Sequence, residues 1–184
     1  KYNIHYCYLG TGCIFEYDEN KKIFTEEDIP NFFGSSYSIV KGFTDNLMKG
    51  YDNVLNLRIR MPIVGKKHHR NFITKILGYE YICSIQNSMS VLPTLLPIMI
   101  DMVFKKNTGT FNLTNPGVIS HNEILNMYKE FVDPNIEWKN IEMKNLEIEW
   151  NFLGGQQELY LIGKSKDYKD ILNNFIKILK NSDT

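Results

Sequence analysis

Tyr37 and Lys41 stand four residues apart, so on a helix one turn places a phenol and an ammonium on the same face. An ammonium beside a phenol favours the phenolate, and such a pair can hand a proton to a substrate oxygen. Earlier in the chain Thr11 closes an apolar run and offers a hydroxyl to hold that oxygen, and Cys13 follows with a thiol. Tyr-x-x-x-Lys alone is a weak pattern in a chain with 11 tyrosines, where a solvated helix face is the commoner source of it. The company of Thr11 and Cys13 raises its weight.

These side chains need a frame. Residues 3–10 are predicted as a strand that delivers Thr11 at its carboxyl end, where open α/β sheets bind ligands. Residues 16–34 are polar and broken by Asp18, Asn20, Pro30 and Gly34, which predicts a long loop, often a functional one. Ser35 or Ser36 caps the next helix, which carries Tyr37 and Lys41, ends near Gly50 and owes its apolar face to Phe43 and Leu47. Val54 to Arg60 is a strand closed by Met61-Pro62. Asn71 to Gly78 is a short helix with Phe72, Ile73, Ile76 and Leu77 facing inward and Lys75 among them, and Tyr79 to Gln86 is a strand. Val91 to Phe104 is predicted as a buried helix, with Pro93 at its first position and Pro97 bending its first turns. Gly109 to Leu113 is a strand and Asn115-Pro116-Gly117 a turn. Ser120-His121-Asn122-Glu123 is a capping box opening a helix to Phe131, with His121 expected at the surface. Residues 133–157, with Trp138 and Trp150, read as irregular. A last helix from about Asp167 to Lys180 turns Tyr168, Ile171, Leu172, Phe175, Ile178 and Leu179 to the core.

Composition narrows the partners. The 184 residues carry 21 basic and 21 acidic side chains, so bulk charge recruits neither nucleic acid nor a membrane surface. With 43% hydrophobic and 23% charged residues, the balance is that of one globular domain with a real core. Cys7, Cys13 and Cys83 form no C-x-x-C pair, which argues against a disulfide framework and for a reducing, cytoplasmic compartment. No apolar run reaches the length of a membrane span, and no signal peptide opens the chain. Lys66-Lys67-His68-His69-Arg70 is the densest basic run, either a solvated loop or an anion-binding rim beside the strand ends. His68 and His69 are adjacent and expected to point apart, so no metal site is expected there. There is no G-x-G-x-x-G between a strand and a helix, no G-x-S-x-G, no P-loop and no zinc pattern. The chain opens almost at once on a strand of buried character, so a segment upstream of it is expected.

Several longer stretches follow one another in a specific order. They are Thr11-Gly12-Cys13-Ile14-Phe15-Glu16-Tyr17-Asp18, Tyr37-Ser38 with Lys41, Arg58-Ile59-Arg60-Met61-Pro62-Ile63, Arg70-Asn71-Phe72-Ile73-Thr74-Lys75, Asn87-Ser88-Met89, and Thr114-Asn115-Pro116-Gly117-Val118-Ile119-Ser120-His121-Asn122-Glu123-Ile124-Leu125. From about residue 8 to about residue 140 the chain resembles the extended short-chain dehydrogenase/reductases. Within them it is similar to the bifunctional 3,5-epimerase/4-reductases that make UDP- or dTDP-rhamnose from the 4-keto-6-deoxyglucose nucleotide. That family occurs in plants, with related copies in large DNA viruses, so a host cytoplasm or a virion is the implied location if the chain is viral.

The resemblance implies an α/β fold: a Rossmann-like parallel sheet, the C-terminal part of the extended fold, with a small C-terminal substrate-binding α/β portion. Within a single domain, residues 1–65 are expected to hold what remains of the NADP-binding sheet. Residues 66–184 are expected to form mainly the substrate-binding portion, with sheet elements interleaved. NADPH is the implied cofactor and a nucleotide-sugar the implied partner, and there is room for a homodimer. Tyr37 would protonate the C4 oxygen as hydride arrives, Lys41 would bind the nicotinamide ribose and tune Tyr37, and Thr11 would hydrogen-bond the C4 oxygen. Cys13 and Lys75 would be the epimerase acid/base pair at C3 and C5. Protons beside a ketone are acidified, and inverting a centre needs a group on each face; a thiol and an amine can both be brought toward neutral by a site. Met61, Pro62 and Ile63 would line the nicotinamide pocket, and Arg70 and Asn71 would face the nucleotide-sugar.

The chain departs from that family in three places. The Gly-rich dinucleotide site that precedes the first strand in the family is absent here, which predicts a fragment of a longer product or a need for a complementing piece. The family's Arg-Ser-Asn-Asn-x-Leu-Asp is replaced by Gly154-Gly155-Gln156-Gln157-Glu158-Leu159-Tyr160. That removes an arginine contact to the diphosphate of about 1.5–3 kcal/mol. Pro93 stands where an Asp is expected. The alternatives are a non-catalytic binding or assembly protein that keeps the fold, and a GDP-fucose-synthase-like epimerase/reductase. The presence of Thr11, Cys13, Tyr37, Lys41 and Lys75 together favours the enzyme.

Overall fold

The computed structural model describes residues 4–16, 23–141 and the backbone of 158–159. The expected last helix, Trp150 and Gly154-Gly155 lie outside them. The frame is three parallel strands: β1 (Tyr6–Thr11), β3 (Val54–Ile59) and β7 (Gly109–Asn112), in the order β1-β3-β7. Leu9 pairs with Leu57 and Leu57 with Phe111, so Thr11 falls opposite Ile59 at the carboxyl end. Central β3 is buried along almost its whole length, as a strand flanked on both edges should be. Between β1 and β3 the chain passes through β2 (Ile23–Phe24), a loop, and helix α1 (Ser36–Lys49).

Ser35, in an extended conformation, accepts the Ser38 N–H on its Oγ and caps α1, which ends at Gly50. The face that α1 turns to the sheet is Ser38, Gly42 and Asp45, not the expected Phe43 and Leu47, which are exposed. Gly42 packs so tightly that a Cβ there would sit 3.1 Å from the Pro30 Cβ. Asp45 is buried because it takes both ends of the Arg58 guanidinium, Nε at 2.8 Å and Nη2 at 2.6 Å. The remaining Arg58 donors reach the carbonyls of Thr25 and Asp28, and Lys49 reaches those of Glu26 and Asp28. Residues 25–28 of the long loop are thereby fixed against α1 and β3.

Beyond β3 come β4 (Pro62–Ile63), α2 (Phe72–Ile76), β5 (Tyr81–Ile82), β6 (Ser90–Val91) and α3 (Leu92–Phe104). The strand expected over residues 79–86 shrinks to β5, whose partner β8 (Lys139–Asn140) offers only two residues. Helix α3 crosses over to β7 and packs Leu95 on Leu55, Leu57 and Leu113, while Ile98, Ile100 and Phe104 stay exposed. It is therefore a half-exposed helix rather than a buried one. Pro93 sits in its first turn, where a missing N–H costs nothing. A second core gathers Ile63, Ile73, Ile76, Ile82, Met89, Val91, Ile119, Ile124, Leu125 and Tyr128 around α4 (His121–Phe131). The Ser120–Glu123 capping box closes in both directions, as expected. The last described element is β9 (Glu158–Leu159), parallel to β2. No described helix is long and apolar enough to cross a membrane.

Candidate active site

A cavity of about 770 Å³ lies at the carboxyl ends of β1 and β3, between the sheet and the second core. Thr11 and Cys13 enter it from the end of β1, Tyr37 and Lys41 from α1, and Lys75 from α2. Met61, Pro62 and Arg70 line it as well. These residues come from separate parts of the chain, brought together by the parallel sheet on one side and the second core on the other.

Local bonds hold Thr11, Cys13 and Lys41. The Thr11 hydroxyl accepts the Cys13 N–H at 3.1 Å, and the Gly12 N–H goes to the Ile59 carbonyl, which ties the turn after β1 to β3. With its oxygen already an acceptor, Thr11 keeps its own proton for donation into the cavity. Lys41 Nζ lies 3.2 Å from the Tyr8 hydroxyl and over its ring. Tyr37 is 54% exposed and so opens to the cavity and to solvent. After β3 the backbone turns at Met61, whose φ of 42° is the left-handed region that a non-glycine residue enters at a cost of about 1 kcal/mol. Such strain collects at functional sites.

Two expected site residues are placed elsewhere. Ile63 is fully buried in the second core and does not reach the cavity, because β4 turns it toward Val91 and Ile73. Asn71 is buried too and does not line the cavity: its amide donates to the carbonyls of Val64 and Lys66 and so shapes the basic loop. His68 and His69 do not point apart; their ring centroids lie 4.2 Å from each other, and the His68 Nδ1 accepts the Arg70 N–H.

Two cavity residues, Arg60 and His121, escaped the sequence reading, as did Tyr8, which touches the cavity residue Lys41. Arg60 is only 1% exposed and donates from Nη1 to the Cys13 sulfur at 2.8 Å. The signal was available: Arg58 and Arg60 alternate in an apolar parallel strand, where a buried cation needs partners. Tyr8 meets Lys41, and nothing in the spacing announces that contact. His121 is not at the surface; it lines the cavity, edge-on to Phe72 at 5.3 Å, with a buried Nδ1 that has no hydrogen-bond partner among the described residues. Burial pushes its imidazole below the ordinary range, and Arg60 adds repulsion against a hydrogen bond to the Ile85 backbone.

No family model matches the chain. The mimivirus protein L780 of Acanthamoeba polyphaga mimivirus is 62% identical over 146 residues, covering 77% of this chain and 50% of that protein. An Arabidopsis thaliana bifunctional dTDP-4-dehydrorhamnose 3,5-epimerase/reductase is 51% identical over 141 residues, covering 73% of this chain and 47% of the relative. The chain thus spans about half the length of the curated relatives it matches. The crystal structure of the L780 UDP-rhamnose synthase superimposes with a TM-score of 0.82 at 47% identity, over 96% of this chain and 65% of that one. The chain carries the Rossmann-like α/β fold of the short-chain dehydrogenase/reductases and is a homologue of the viral L780 protein and the plant rhamnose-nucleotide epimerase/reductases.

Proposed function

We propose that this protein is a nucleotide-sugar 3,5-epimerase/4-reductase, acting on a UDP- or dTDP-linked 4-keto-6-deoxyglucose with NADPH as reductant. The observation that carries the reading is the convergence of Thr11, Cys13, Tyr37, Lys41 and Lys75 on one cavity at the strand ends. The substrate class follows the activities of two relatives, a UDP-rhamnose synthase and a dTDP-4-dehydrorhamnose epimerase/reductase.

The residues present fit the nicotinamide end of the cofactor. Leu9, Ile59, Met61 and Pro62 give an apolar wall, and Lys41 offers an ammonium to a ribose hydroxyl. NADPH bound there supplies the hydride for the ketone carbon. Thr11 donates a hydrogen bond to the C4 oxygen, which polarises the ketone and stabilises the enolate formed during epimerisation. Lys75 and Cys13 serve C3 and C5, one taking the proton beside the ketone and the other returning one on the opposite face. Tyr37 then gives its phenolic proton to the C4 oxygen, and the Lys41 ammonium one helical turn away favours the phenolate left behind. Arg70, on the rim, pairs with the diphosphate of the nucleotide.

The test is turnover by the full-length protein of the 4-keto-6-deoxyglucose nucleotide with NADPH. The expected result is NADPH oxidation with formation of the rhamnose nucleotide. Cofactor binding with no turnover of either nucleotide would overturn the reading in favour of a binding protein.

A further inference from the structure

We infer that Arg60 is the positioning residue for Cys13, holding its sulfur as the proton acceptor at the sugar carbon; this rests on the reading of Cys13 as half of the epimerase pair. Arg60 Nη1 donates to the Cys13 Sγ at 2.8 Å, and Nη2 donates to Asn87 Oδ1 at 3.3 Å. A guanidinium has five donors and no acceptor, so the sulfur is the acceptor in this contact. An anionic sulfur fills that role well and a neutral thiol fills it poorly. In the step served, a C–H bond beside the ketone breaks, its electron pair moves into the enolate, and a sulfur lone pair takes the proton.

The contact is built on rigid parts. The Arg60 N–H donates to Ser90 Oγ at 2.8 Å, the Ser90 N–H returns to the Arg60 carbonyl, and Ser90 Oγ donates to the Leu113 carbonyl. Asn87, the second anchor of the guanidinium, exchanges both backbone bonds with Ile119. On the other side, the turn bearing Cys13 is bonded to Thr11 and to the Ile59 carbonyl. Cation and sulfur are thus fixed to the ends of two adjacent strands, the precision that acid–base geometry demands. Cys83 lines the same cavity and Cys7 lies on β1; burial pushes both thiols up. They are internal standards for Cys13.

The experiment alkylates the full-length protein with iodoacetamide at neutral pH and follows each cysteine by mass spectrometry. Solvent-deuterium exchange at C3 and C5 and NADPH oxidation are measured beside it. Arg60→Gln is expected to slow alkylation at Cys13 about tenfold while Cys83 changes little. It is also expected to lower exchange about tenfold further than reduction. Arg60→Lys keeps the cation but cannot span both partners, so it should recover part of each loss, and it keeps the test open if the glutamine variant fails to fold. Wild-type alkylation at Cys13 in a folded Arg60 variant overturns the inference, as does an equal fall of exchange and reduction without rescue by lysine. Exchange that survives Cys13→Ala defeats the parent reading instead. Exchange lost in Cys13→Ala but intact in both Arg60 variants defeats the Arg60 inference alone.

Discussion

Tyr37 and Cys13 reach the cavity from different elements, one from α1 and the other from the turn after β1, so their tasks separate by substitution. Tyr37→Phe removes only the phenolic hydroxyl. It should lower NADPH oxidation by about 10²–10⁴-fold, the usual weight of a general acid, and leave deuterium exchange at C3 and C5. Cys13→Ala should do the reverse when reduction is assayed on the epimerised ketone. Equal loss of both activities in both folded variants would show that the roles are not divided this way. His121 gives a prediction about pH. Its folded imidazole titrates below the ordinary 6.5 because burial disfavours the cation. Below 6.5 the unfolded chain binds the proton first, so the unfolded state gains and stability falls as the pH drops, levelling off beneath the folded value. Urea midpoints read through this window should decline for the wild type and flatten in His121→Gln. A slope unaffected by the substitution would remove His121 as the source. At this scale the grouping of Thr11, Cys13, Tyr37 and Lys41 at one strand end was legible from residue type and position, while Lys75 was reached only through the family resemblance. Arg60 and Tyr8 were missed because their part is to hold another side chain, and such contacts follow from strand register, not from spacing.

The union of α1 with β3 depends on a buried ion pair. Arg58 is fully buried and binds Asp45 through two nitrogens, and the Asn56 amide donates to the same carboxylate. Removing one partner leaves a charge in a dry place, so Asp45→Ala should cost about 3–5 kcal/mol in chemical denaturation. Replacing both, as in Asp45→Leu with Arg58→Met, should recover most of that, since hydrophobic residues of similar volume often match a buried pair. If the single and double variants were equally destabilised, the pair would not be the cause. The same contact explains why the inward face of α1 was misread. Apolar periodicity favours Phe43 and Leu47, yet the helix turns Ser38, Gly42 and Asp45 inward, where close approach to Pro30 demands a glycine and Arg58 demands a carboxylate. The ends of α1 were readable because Ser35 and Gly50 carry their own capping chemistry. The extent of β5 was not, because a strand's length depends on its partner, and β8 supplies only two residues.

For the whole molecule, the strand-end position of the cavity follows from parallel topology, which the order of segments made readable in advance. Its electrostatics are a separate matter. With formal net charge zero, the chain has no long-range pull on an anionic nucleotide-sugar, so attraction must come from a local rim. On the proposed function, the exposed run from Lys66 to Arg70 would be that rim, and of its residues Arg70 is the one that lines the cavity. A guanidinium–phosphate bond is worth about 1.5–3 kcal/mol, so Arg70→Ala should raise KM for the nucleotide-sugar roughly ten- to hundredfold. Because Arg70 is exposed, salt should weaken the same contact: at 0.1 M the screening length is only about 10 Å. Raising the ionic strength should therefore increase KM in the wild type and do so less steeply in Arg70→Ala, with kcat moving far less than KM in both. Identical salt slopes for the two proteins would place the diphosphate away from this rim and leave Arg70 a solvated surface residue.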